Sequence, residues 1–170
     1  TIPTNLQSQS YDKNDMSFQS RINGSSVINP NFSHQKIIEY FKKSSNPIII
    51  LGNGAHDVLS DEIIKLVETL NIPILTEMSA RGIIPDSHYL CFGLSDQRAN
   101  PIARVISESD LVILLGKELD FTLDFGNHPT ISKSSNIIQV DPDEQILSRS
   151  KRADLSILSS VGNFVSQIVQ

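Results

Sequence analysis

A single cysteine, Cys91, stands among the 170 residues, so no intrachain disulfide can form, and the four histidines find no cysteine pair with which to build a zinc-finger spacing. Disulfide scaffolds and zinc ribbons are excluded. No apolar run approaches the roughly eighteen residues of a membrane-crossing helix, and the first residues lack the charged-then-apolar order of a secretory signal. A soluble, cytoplasmic protein is expected. Basic residues are scarce as well: 14 face 19 acidic ones, for a net charge of −5, with no basic run or stripe to track phosphates. Neither a nucleic acid nor a membrane is expected as partner. The remainder, 39% apolar and 19% charged, suits one globular domain with a sizeable core.

Composition shifts near residue 32. Residues 5–31 are rich in Asn, Ser and Gln, and their scattered Ile22, Val27 and Ile28 follow neither helical nor strand period, so 1–32 reads as a linker. From Ser33 to the end at 170, short apolar runs alternate with stretches of helical period, the pattern of βαβ units. Strands are predicted at 48–51, 72–75, 111–116, 137–140 and 155–158, with one further short strand inside the long loop 80–93. Helices are predicted from Ser60, as N-cap, through Leu70, over 99–106, after Asp141 as N-cap with Pro142 at N1 and Glu144 at N3, and over 161–168. The fold class is α/β: a doubly wound, Rossmann-like parallel sheet in three α/β/α layers with right-handed crossovers.

Ligands of such sheets sit beyond the carboxyl ends of the strands, here at 52–57, 76–81, 116–120 and 141–144. Gly52-Asn53-Gly54 follows a strand, and Glu77 ends the next one where a ribose-binding acid would stand, which suggests a dinucleotide fingerprint. Asp57, however, takes the third glycine position, and Asp61 and Glu62 already occupy the helix end at which a pyrophosphate would dock. A tight strand-to-helix turn using glycine for its backbone freedom is the preferred reading.

GNGA at 52–55, RGIIPDSH at 81–88, Gly93, LVILLG at 111–116, FTLDFG at 121–126 and IIQVDPDE at 137–144 together resemble, in their order, the central domain of thiamine-diphosphate-dependent enzymes. The resemblance covers about 46–161. Within that superfamily the FTLDFG and RGIIPDSH stretches most resemble the branch of 2-hydroxyacyl-CoA lyase and oxalyl-CoA decarboxylase, with acetolactate synthase the wider relative. The resemblance implies a fold of the DHS-like NAD/FAD-binding type. It further implies that Thr1-Ile2-Pro3-Thr4-Asn5-Leu6 is similar to the last strand of a preceding pyrimidine-binding domain, joined by the linker to the central domain at 33–170. The parent polypeptide would then be a lyase, decarboxylase or carboligase acting on 2-keto or 2-hydroxyacyl compounds through thiamine diphosphate and Mg2+, as a homo-oligomer. Its pyrimidine-binding and diphosphate-binding domains would carry the catalytic glutamate and the Gly-Asp-Gly motif. No Gly-Asp-Gly occurs in these 170 residues, so this chain alone is expected to hold no thiamine diphosphate and to contribute no catalytic residue.

Relatives of this domain hold FAD, ADP or nothing. The resemblance assigns Gly52, Asn53, Gly54, Gly116, Lys117 and Asp141 to that crevice, with Asp141 as either the ribose-facing acid or a helix cap. Asn53 stands where nucleotide-binding relatives have lysine, and Glu118 where they have arginine; adjacent Lys117 is a candidate substitute cation, and Arg81 matches a common basic position. Around them Asp57, Glu77, Glu118, Asp120, Asp141, Asp143 and Glu144 make an acidic rim. A degenerate crevice and a structural role are therefore expected, with no metal site. The histidines His56, His88 and His128 are placed in loops at one edge without ligand spacing, Cys91 reads as a small buried residue, and Phe121, Leu123 and Phe125 as a contact with a neighbouring domain or subunit. The alternative is a self-standing nucleotide-binding or regulatory module of the same fold, akin in shape to sirtuin-like and electron-transfer-flavoprotein domains. Such a module would be expected to begin with Met, and this chain begins with Thr1.

Overall fold

The computed structural model describes residues 34–149 and 151–169, so the predicted linker and preceding strand lie outside the described residues. Six strands form one parallel sheet: β1 (Pro47–Leu51), β2 (Ile74–Thr76), β3 (Cys91–Leu94), β4 (Leu111–Leu115), β5 (Asn136–Asp141) and β6 (Leu155–Leu158), in the order β3-β2-β1-β4-β5-β6. The sheet switches direction between β1 and β4, which pair in register from Pro47 opposite Leu111 to Leu51 opposite Leu115. Helices are α1 (His34–Lys43), α2 (Ser60–Leu70), α3 (Val105–Glu108), α4 (Glu144–Arg149) and α5 (Val161–Ile168). None is long and apolar enough to cross a membrane.

Strand side chains alternate between two cores. Ile49, Leu51, Ile113, Leu115, Ile138 and Val140 pack with Ile37 of α1, Ile63, Leu66 and Val67 of α2, and Phe164 and Val165 of α5. Ile48, Ile50, Val112, Leu114 and Ile137 face the other way, onto Ala103, Ile106, Leu119, Leu123 and Ile131. Each such apolar side chain contributes roughly 1.5–3 kcal/mol by leaving water. The second core is closed by the 3-10 turn and short helix over 101–108 and by the irregular stretch 119–131.

Four local expectations change. The helix predicted over 99–106 begins instead as a 3-10 turn at Pro101–Arg104, because Asn100 accepts the Ile102 N–H and donates its own amide to the Phe92 and Leu94 carbonyls. Proline then enters at the first position, where its missing N–H costs nothing. Ser60 is the first residue of α2 and its N-cap is Leu59, whose N–H is held at 3.0 Å by the Glu62 carboxylate reaching back one turn. Asp141 ends β5 and accepts the Asp143 N–H, while Asp143 caps α4 by accepting from Gln145; Pro142 thus precedes the helix. The second strand starts at Ile74, since Pro73 has no N–H to give the ladder, and Asn71 ends α2 in the left-handed conformation (φ 51°).

At the amino edge the Asp110 carboxylate gathers the α1–β1 connection, accepting from Ser44 Oγ and from the backbone N–H groups of Ser45 (2.7 Å) and Asn46 (3.0 Å). Burial alone would raise this carboxyl, but the three donors outweigh it and hold its pKa below the ordinary value. Its stabilisation is complete above the unfolded carboxylate value and is lost as pH falls through the lower folded one. Asp110→Asn is therefore expected to melt a few degrees lower at pH 7, corresponding to about 1 kcal/mol, with the gap closing below about pH 4 in thermal denaturation.

Candidate crevice at the carboxyl edge

The turn after β1 and the turn after β4 lie backbone against backbone. The N–H of Gly52 donates to the Leu115 carbonyl (2.9 Å), that of Gly54 to Gly116 (2.8 Å) and that of Gly116 to Val140 (2.8 Å), extending the ladder past the strands. A Cβ on Gly52 would lie 2.6 Å from Lys117 Cα, and one on Gly116 would lie 2.7 Å from Gly54 Cα and from Ala55 N. Gly116 also has φ +60°, which L side chains rarely adopt. Glycine is required here by the closeness of two protein turns.

Lys117 follows directly. Although it sits at a loop start, it is fully buried, the bulkiest of the fully buried side chains among the described residues. Its Nζ donates to Asp120 Oδ2 at 2.6 Å and stands 3.7 Å from Glu77 Oε1, so one ammonium joins the loops after β2 and β4. Isolated burial of that charge would cost several kcal/mol; two carboxylates compensate it. Asp120 also accepts from Thr122 N–H (2.9 Å) and Oγ1 (2.6 Å). Burial would raise its carboxyl, but the Lys117 and Thr122 hydrogen bonds hold it below the ordinary range. Beneath, Gln139 Nε2 donates to the Lys117 carbonyl at 3.2 Å, while its Oε1 is buried without a partner.

Several further donors that an anion could use at this edge are engaged. Asp57 Oδ2, in the position of the fingerprint's third glycine, accepts from Gly162 N–H in the first turn of α5 at 3.1 Å. Ser160 Oγ accepts from Asn163 N–H at the same end. Glu62 and Asp143 hold the starts of α2 and α4. Asp141 is only 2% exposed, with Oδ2 3.3 Å from where a Gly54 Cβ would be; burial, more than its charged neighbours, pushes its carboxyl up.

Of the six predicted crevice residues, Gly52, Gly54, Gly116, Lys117 and Asp141 converge and Asn53 is exposed on the turn. Glu118, in the arginine position, pairs with Arg149, and Arg81 pairs with Asp86. His88 is at the amino edge, against Glu68 at the end of α2, and so does not share an edge with His56. Cys91 is partly buried against the three-helix core. No metal-holding group of three or more acidic, His or Cys side chains occurs among the described residues. Gln139 was missed; its signal was a lone amide in the apolar run IIQV.

Lys117→Met should cost roughly 3 kcal/mol, near the low end for breaking a buried pair since both carboxylates reach solvent. Adding Glu77→Gln and Asp120→Asn should recover most of it in urea denaturation. Asp141 behaves oppositely to Asp110: its raised folded pKa means stability falls as pH rises from about 4 through that raised value. Asp141→Asn is expected to melt above the parent protein at pH 7 and level with it near pH 3.

The family described as "Thiamine pyrophosphate enzyme, central domain" matches residues 34–168. The chain is similar to a 2-hydroxyacyl-CoA lyase of Saccharomyces cerevisiae (37% identity over 131 residues, 75% of this chain and 22% of the relative). It is also similar to a probable acetolactate synthase large subunit of Methanococcus aeolicus (27% over 140 residues, 80% and 23%). In fold it resembles the thiamine diphosphate-dependent 4-hydroxybenzoylformate decarboxylase of Rhodococcus jostii RHA1 (TM-score 0.65, 19% identity, 79% of this chain and 26% of that one). The chain thus spans about a fifth of the length of the curated relatives it matches. With its sheet order, its glycine turns and the match over 34–168, the chain belongs to the family of thiamine pyrophosphate enzyme central domains.

Proposed function

We propose that the chain is the middle domain of a thiamine-diphosphate-dependent lyase, decarboxylase or carboligase acting on 2-keto or 2-hydroxyacyl compounds, and that its own part in that enzyme is architectural. The observation that carries the second half is the engagement of the Gly54, Leu59 and Gly162 N–H groups at the carboxyl edge. The Gly54 N–H is given to Gly116, α2 is held by Glu62, and α5 by Asp57. An incoming diphosphate of FAD or ADP would have to break these bonds and would meet carboxylates, while Lys117 is enclosed and shared by Asp120 and Glu77 and Arg149 is paired with Glu118. The residues present do not fit the phosphates of a nucleotide. Nor do they fit thiamine diphosphate with Mg2+, for which the chain has no Gly-Asp-Gly.

Thiamine diphosphate and Mg2+ therefore belong, in this reading, to other domains of a homo-oligomeric parent. A cytoplasmic location is part of the reading. A self-standing nucleotide module would need open donors at this edge, and nothing in the geometry favours it.

Two measurements test the reading. Millimolar ADP or FAD should move the melting temperature by less than about 1 °C, because only a ligand that binds the folded state selectively raises stability; a shift of several degrees overturns the degenerate crevice. Intact mass of the native polypeptide should be several times 18.8 kDa, and a native chain of that mass overturns the parent enzyme.

A further inference from the structure

The glycine that the two close turns require at position 54 follows an asparagine. Asn53 is exposed, and its carboxamide has no hydrogen-bond partner among the described residues. Asn-Gly is the dipeptide in which an asparagine cyclises most readily, because no Cβ on the second residue screens the approach of its nitrogen to the carboxamide carbon. Solvent alone balances the step. The Gly54 nitrogen bonds to Asn53 Cγ, the Cγ–Nδ2 bond breaks, and the proton of the Gly54 nitrogen leaves with the departing amide as ammonia. Water then opens the succinimide at either carbonyl, to aspartate or to isoaspartate.

The fold opposes the first part of that sequence. The Gly54 nitrogen must lose its proton and turn towards the side chain, but its N–H donates to the Gly116 carbonyl at 2.8 Å. The 3-10 turn Asn53–Ala55 is itself closed by the Ala55 N–H on the Gly52 carbonyl at 3.1 Å. Isoaspartate, once formed, keeps the two turns apart. It routes the main chain through an added methylene, where even a Cβ on Gly54 would lie 2.8 Å from Gly116 Cα. Either product also brings a further carboxylate to an edge that already holds Asp57, Glu77 and Asp120.

We propose that Asn53 is a deamidation site locked by the Gly54–Gly116 hydrogen bond, so that isoaspartate forms there only when the β1–β4 junction opens and then holds it open. The lock involves no ligand and stands independently of the parent-enzyme reading.

Peptide mapping by mass spectrometry, with enzymatic methylation to mark isoaspartate, follows Asn53 in the full native polypeptide at neutral pH. Conversion is expected to be at least about tenfold slower in the folded protein than in denaturing urea, as for a group released only by local opening. Equal rates overturn the lock, and no conversion at Asn53 in urea overturns the site. Gly116→Ala separates this junction from any other shielding, since its added Cβ would lie 2.5 Å from the Gly54 carbonyl carbon. Its folded and urea rates are expected to agree within about threefold, and a folded Gly116→Ala protein that keeps the full protection overturns the assignment to this hydrogen bond. Hydrogen exchange of the Gly54 amide in the unsubstituted protein, at urea concentrations below unfolding, decides the same point if that variant does not fold. Asn53 conversion is expected to rise in step with Gly54 exchange, and exchange that rises alone overturns the lock.

Discussion

Two glycine turns pressed together at the point where the sheet changes direction set the geometry of everything above it. With no Cβ on Gly52, Gly54 or Gly116, the loop after β1 approaches the loop after β4 closely enough for their amides to continue the sheet ladder. In an open doubly wound sheet that gap is where a ligand's phosphates come nearest to backbone N–H groups. Here the protein's own carbonyls fill the role, and the turn keeps the shape of a ligand loop while its hydrogen bonds are closed upon itself.

The enclosure of Lys117 follows from that closure. With Gly116 in a left-handed conformation, the chain turns so that the next side chain points under the loops, where it is cut off from water. A charge so placed must be answered locally, and Asp120 and Glu77 do so from two loops. The acidic rim is consequently less a reservoir of free charge than the visible side of several internal pairings: Glu77 and Asp120 face the lysine, Glu118 faces Arg149, and Asp57 and Asp143 hold helix starts.

Much of the fold was legible because parallel strands buried on both faces read as short continuous apolar runs, and IIIL and LVILL lie where β1 and β4 are. The alternation with helical period carried the layer order. What could not be read was long-range: that Asp57 reaches Gly162 across 105 positions, or that Lys117 points inward, depends on how loops meet in space. Cap positions slipped by one or two residues for the same reason. Ser60, a strong capping residue by type, is displaced by a Leu59 whose N–H is satisfied from Glu62, and Asp141 yields the cap to Asp143 because β5 runs on through it.

The uneven thickness of the two layers carries a mechanical meaning. Three helices shield one face, but the other is roofed by the same irregular stretch that displays Phe121 and Phe125 outward and buries Leu119, Leu123 and Ile131 inward. Outer surface and inner core cover are opposite sides of a single strip of chain. A substitution that shifts the aromatic side chains shifts the roof of a hydrophobic core as well, so the shape of the outer surface and the cohesion of that half of the sheet are set by one strip of chain.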